Sequence, residues 1–133
     1  MANFVKLADP RGTKLAWHLL SSILNIAWAL AWFSIVDWMI ARSNNTLTGI
    51  DTTLMLGIFL GTVGIGILVA LMANDGRGLT YGLYGGLVGL VVIAIMTWKS
   101  GLLAGLVGLM AVFGNYNGSS LGEMIRNIRK RKR

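Results

Sequence analysis

The chain has 133 residues, 55% hydrophobic and 13% charged, whereas an ordinary soluble domain carries about 25% charged residues. That balance points away from a soluble globule and toward a polytopic membrane protein. Cysteine is absent and histidine occurs once, which excludes disulfides, thiolate metal sites, iron–sulfur ligation and cysteine nucleophiles.

A helix that crosses a bilayer needs about 20 mostly apolar residues, and four stretches are candidates: 15–41, 53–73, 79–98 and 102–116, the last of them short and carrying Gly114 and Asn115 near its end. The first lies between Lys14 and Arg42, has no glycine and holds four of the five tryptophans. At about 100° per residue, Trp17, Trp28, Trp32 and Trp38 fall within an arc of about 120°. Trp17 and Trp38 sit where interfacial belts belong. Trp28 and Trp32 lie deeper and are expected to touch a partner chain, a pigment or lipid. Beside them His18, Ser22, Asn25 and Ala29 form a narrow strip of small and polar residues. Asn25 is near the membrane middle, where an unpaired amide is costly, so it should hydrogen-bond across a helix interface. His18 is a candidate tetrapyrrole ligand. The plainer and preferred reading is an interfacial histidine hydrogen-bonded near the headgroups, and a haem held by two histidines of this chain is excluded. Asp37 is expected to pair with Arg42 or with a partner chain. Asn44-Asn45-Thr46 fits the glycosylation pattern.

The next three stretches each open with Gly-x3-Gly-x2-Gly: Gly57, Gly61, Gly64; then Gly82, Gly86, Gly89; then Gly101, Gly105, Gly108. Leu87-Val88-Gly89-Leu90 recurs as Leu106-Val107-Gly108-Leu109. Positions i, i+4 and i+7 share a helix face, so each stretch carries a glycine stripe suited to close backbone approach in lipid. Inverted-repeat transporters also repeat their halves, but they place polar groups at mid-membrane. Here no Asp, Glu, Lys, Arg or His occurs over 52–73 or 79–98. All nine glycines are therefore read as helix-packing residues.

Basic residues favour the cytoplasmic side. Four spans with both termini inside place Lys6, Arg11, Lys14, Arg77, Arg126, Arg129, Lys130, Arg131, Lys132 and Arg133 there, and leave Arg42 and Lys99 outside. Three spans would separate the two basic termini. The expected fold is therefore an all-α integral membrane protein, a four-helix transmembrane bundle with N-in/C-in topology in the cell (inner) membrane. A cleaved signal peptide is not expected, because the first apolar run is too long and lacks a small-residue cleavage pattern. Residues 1–14 form a cytoplasmic segment and 117–133 a basic tail. In that tail Ser120 and Glu123 make a capping box, and Leu121, Met124, Ile125 and Ile128 follow at helical spacing. The expectation is a separate amphipathic interfacial helix whose Arg126, Arg129, Lys130, Arg131, Lys132 and Arg133 meet anionic headgroups. Nucleic acid is disfavoured, since no aromatic residues interleave the basic run.

Catalysis needs paired acid/base groups, an activated nucleophile or a metal shell, and one histidine with five acids, four of them at span ends or in loops and tails, makes an enzyme unexpected. Small four-helix multidrug exchangers depend on a glutamate embedded in the first helix, and rotor rings need a buried carboxylate. The only glutamate here is Glu123, in the tail. The function expected is that of a non-catalytic accessory or assembly subunit of a larger membrane complex, of the energy-transducing (respiratory or photosynthetic) kind. Other membrane subunits and lipids would be its partners. No cofactor is expected to be held by the chain alone, a pigment or lipid at an interface being the one candidate. The alternative is a holin-like pore former or small channel, a homo-oligomer whose path is lined by Thr62, Ser22 and Asn25.

Overall fold

The computed structural model describes residues 9–43 and 48–132. Lys6, Arg133 and the Asn44-Asn45-Thr46 pattern lie outside the described residues. The described chain forms four long helices, α1 (Leu15–Arg42), α2 (Ile50–Ala73), α3 (Gly78–Met96) and α4 (Leu102–Arg131), with a 3-10 turn at Trp98–Ser100. The first three are each long and apolar enough to cross a membrane. With 28, 24 and 19 residues they measure about 42, 36 and 28 Å at 1.5 Å per residue, against a hydrocarbon core of about 30 Å.

Local chemistry sets the helix ends. Before α1 the Thr13 N–H donates to the Pro10 carbonyl at 3.1 Å. The last turn of α2 is closed by Asn74 in the left-handed region, φ 49°, a conformation that asparagine tolerates better than most residues. The Asp75 carboxylate then accepts the Arg77 N–H at 3.0 Å, and Gly76 at φ +82° completes the reversal into α3. At the far end of α3 the Thr97 hydroxyl donates to the Ile93 carbonyl at 2.6 Å. Gly101, at φ +56°, then swings the chain into α4.

Contacts at the glycines give the helix directions. Trp28 and Trp32 of α1 meet Gly61 and Gly57 of α2 in reverse order, so these helices are antiparallel. Gly82, Gly86 and Gly89 of α3 likewise meet Ser119, Val112 and Ala111 of α4 in reverse order. Thr62, Val63 and Ala70 of α2 meet Gly114, Gly118 and Gly122 of α4 in the same order, which makes α2 and α4 parallel neighbours. The result is an up-down-up-down bundle in which α4 packs most extensively on α2 and next on α3. One apolar cluster gathers Ala29, Val36, Leu54, Ile58, Ile93, Val107 and Ala111, and a second, nearer the α2–α3 turn, gathers Val69, Ala73 and Tyr81.

The end of the chain differs from the sequence expectation. No break separates a fourth span at 102–116 from a tail helix: α4 is one helix of 30 residues, about 45 Å long. Gly114, Asn115 and Gly118 resemble turn residues in sequence, but they occupy the contact face of α4, where a small side chain lets another backbone approach. Ser120 lies within the helix and starts nothing. Glu123 caps a different helix, accepting the N–H of Gly78 at the start of α3 at 2.6 Å.

Candidate functional site

Two places in the bundle concentrate polar chemistry: a node at mid-height and the end where the α2–α3 turn meets α4. The node is an amide pair. Asn115 Nδ2 donates to Asn25 Oδ1 at 2.6 Å, and Asn25 Nδ2 donates to Asn115 Oδ1 at 3.2 Å. Each amide also donates to its own helix one turn back, Asn25 to the Ser21 carbonyl and Asn115 to the Ala111 carbonyl. Both residues are buried, and the pair ties α1 to α4 diagonally across the bundle. That reach exists because α3 is thin where they meet. A Cβ at Gly85 would overlap the Ser21 hydroxyl, and Gly89 touches Asn25 on one side and Ala111 on the other. Around the node the Ser21 hydroxyl donates to the Tyr81 carbonyl at 3.1 Å, and the Thr62 hydroxyl donates back to the Ile58 carbonyl at 2.8 Å.

The structure thus gives Asn25 the cross-helix partner its position demanded, and the partner is Asn115, a residue that reads in sequence as the end of a span. Ser21, rather than Ser22, is the buried serine of α1. Trp28 and Trp32 point into the chain's own interior. Their rings stack at 5.8 Å and 13°, fill the hollows at Gly61 and Gly57, and Trp28 Nε1 donates to the Gly57 carbonyl at 3.1 Å. The glycine stripe of α2 is therefore a seat for tryptophan.

The nine stripe glycines divide into three groups. Gly57 and Gly61 receive the tryptophans. Gly82 and Gly86 admit α4, Gly89 sits between Asn25 and Ala111, and Gly108 lies against Leu90. Around Gly64, Gly101 and Gly105 nothing among the described residues lies within 4 Å of where a Cβ would be, so among the described residues these three make no close packing contact. Gly101 is instead the turn before α4. The close-contact glycines of α4 are Gly114, Gly118 and Gly122, against Thr62, Val63 and Ala70. Their i, i+4, i+8 spacing is visible in the sequence once glycine is read as a contact residue rather than a breaker.

His18 is wedged against α3. Its ring meets Tyr81 edge-on at 4.8 Å and Tyr84 at 5.2 Å. The Thr13 hydroxyl donates to the Pro10 carbonyl at 2.6 Å, so its oxygen accepts from His18 Nε2 at 2.9 Å. A metal at Nε2 would have to displace Thr13. Close by, the Tyr81 hydroxyl donates to Asp75 Oδ2 at 2.6 Å and accepts the Lys14 N–H at 2.9 Å. This network ties the start of α1 to the α2–α3 turn. At the opposite end the Arg42 guanidinium lies 5.2 Å from the Trp38 ring, a cation–π contact.

Arg126 is half-buried near the α2–α3 turn, whereas Arg129, Lys130, Arg131 and Lys132 are exposed on the last turns of α4. Leu121, Met124, Ile125 and Ile128 are also exposed, so this end of α4 presents an apolar and a basic surface outward. Comparison with protein-family models, curated proteins and solved structures finds no match to the chain.

Proposed function

We propose that the protein is a non-catalytic membrane subunit, an accessory or assembly element of a larger membrane complex, inserted as four spans with both termini on the cytoplasmic side. The observation that carries this reading is the closure of the interior. Asn25 answers Asn115, Ser21 answers a backbone carbonyl of α3, and Thr62 bonds its own helix. These three polar side chains are answered inside the bundle, and its interactions with other molecules would run through its outside. A fourth crossing is supported by the way α4 lies beside α2 from the level of Thr62–Gly114 to that of Ala70–Gly122. The orientation is supported by the gathering of Arg77, Arg126 and the last basic turns at one end of the bundle, with Arg42 and Lys99 at the other.

Purification of the native protein in mild detergent tests this. Co-purifying membrane subunits in fixed ratio are the expected result. A homo-oligomer that permeabilises vesicles would replace this reading with the pore-forming one. For topology, cysteines introduced at Lys132 and Lys99 are expected to react with an impermeant thiol reagent from opposite sides, and same-side labelling would remove the fourth crossing.

A further inference from the structure

A pocket of about 220 Å³ opens between the last turn of α2 and the projecting part of α4, lined by Leu71, Asn74, Arg126, Arg129 and Lys130. Three of these five residues are cationic. Arg126 is the inner one: its Nε and Nη1 are buried and have no hydrogen-bond partner among the described residues. The Gly76 turn closes in on the same guanidinium, since a Cβ there would lie 3.3 Å from Nη2. The nearby acids are turned to other work. Glu123 accepts from Gly78, and Asp75 accepts from Tyr81 and from the Arg77 N–H.

A buried guanidinium N–H left unpaired is costly, and a fork of such donors matches the oxygens of a phosphate. From this geometry we infer that the pocket is a binding site for a phosphate group, with Arg126 as its inner ligand and Arg129 and Lys130 at its rim. The level of the pocket suits a phospholipid headgroup, because Leu71 belongs to the apolar end of α2 and Asn74 to the polar turn that follows. The inference needs the chain to be membrane-embedded. It does not need a partner subunit, so it stands or falls separately from the accessory role.

The test uses the full chain in an uncharged detergent, titrated with short-chain phosphatidylglycerol, with phosphatidylcholine and with sodium phosphate, and read by native mass spectrometry and an affinity titration. One anionic lipid per chain is expected. Arg126→Gln should weaken it about tenfold or more, the loss of a charge-assisted hydrogen bond. Lys132→Gln, the same change in net charge outside the pocket, should leave affinity within about twofold. Displacement of the lipid by inorganic phosphate would identify a site that reads phosphate alone, and failure to displace it would identify a lipid site. Equal losses in the two glutamine variants would show diffuse attraction to the basic tail and overturn the proposal. Should Arg126→Gln fail to fold, Arg126→Lys decides: it keeps the charge without the fork, so partial loss supports the site and unchanged affinity overturns it.

Discussion

The glycine stripes of α3 and α4 share spacing and a four-residue neighbour sequence, yet their surroundings differ. Gly82, Gly86 and Gly89 are buried against α4, with Asn25 of α1 also touching Gly89, whereas Gly101 and Gly105 are exposed and, among the described residues, only Gly108 of that stripe meets a neighbour. A glycine stripe therefore marks a surface able to approach another backbone, and the rest of the helix decides whether one arrives. In α4 the decision belongs to the later residues. Val107, Gly108, Ala111, Gly114, Asn115, Gly118, Ser119 and Gly122 are its buried face, a run of small residues at helical spacing that places Asn115 opposite Asn25.

The largest effect should come from filling the packed stripe. At Gly118 a Cβ would overlap the Val63 carbonyl oxygen, backbone that cannot rotate away. Gly118→Leu is expected to cost at least about 3 kcal/mol, the upper range of overpacking, and to abolish the folded bundle. Gly105→Leu, with open space around it, should change thermal unfolding in detergent by less than about 0.5 kcal/mol. Similar losses at both positions would mean that the two faces are not different in kind.

The amide node is next. Replacing one asparagine strands the other in a dry interior, so Asn25→Leu and Asn115→Leu should each cost about 1 to 3 kcal/mol. The double variant removes both groups at once. It should fall short of the sum of the singles by about 1 kcal/mol, within the range of coupling seen for hydrogen bonds inside membranes. Additive losses would mean that the pair is not formed.

Much of this arrangement was legible in the sequence, and the exceptions share a cause. Hydropathy located α1, α2 and α3 because length and apolar content are local properties. The need of Asn25 for a cross-helix partner followed from its depth alone. The identity of that partner did not, because Gly114-Asn115 carries the local signature of a helix end, and only packing against α2 turns it into a contact face. The depth of Trp28 and Trp32 reads in sequence as contact with a partner chain, a pigment or lipid, because a local pattern does not show what stands opposite it. The glycines of α2 are the space those rings occupy. Glu123 misled for a similar reason: Ser120-x2-Glu123 is a sound local capping box, but its carboxylate serves Gly78, 45 residues away.

That cap gives a smaller, local test of how α4 is joined to α3. Glu123→Ala leaves the Gly78 N–H without its acceptor and should cost about 1 kcal/mol, as other lost N-caps do. Glu123→Gln keeps an acceptor oxygen and should recover part of it. If both variants unfold as the parent does, the contact at the start of α3 adds nothing to stability.

The finest comparison puts one methyl group on each copy of the repeat. Gly86 and Gly105 are the second glycines of their stripes, and a sequence repeat taken alone assigns them the same response to alanine. The surroundings assign opposite signs. At Gly86 the new Cβ would lie 2.9 Å from Val112 Cα and 3.2 Å from the Ala111 carbonyl, so α3 and α4 must separate and the node beside them loosens. Gly86→Ala should therefore destabilise. At Gly105 nothing is displaced, and the main consequence is the reduced freedom of the unfolded chain, which favours the folded state by about 0.5 kcal/mol. Unfolding midpoints of the two alanine variants in one detergent should bracket the parent. A loss at Gly105 as well, in protein isolated under conditions that would keep a partner subunit bound, would mean that a helix of another chain occupies that face, and the difference between the copies would then be one of partner rather than of burial.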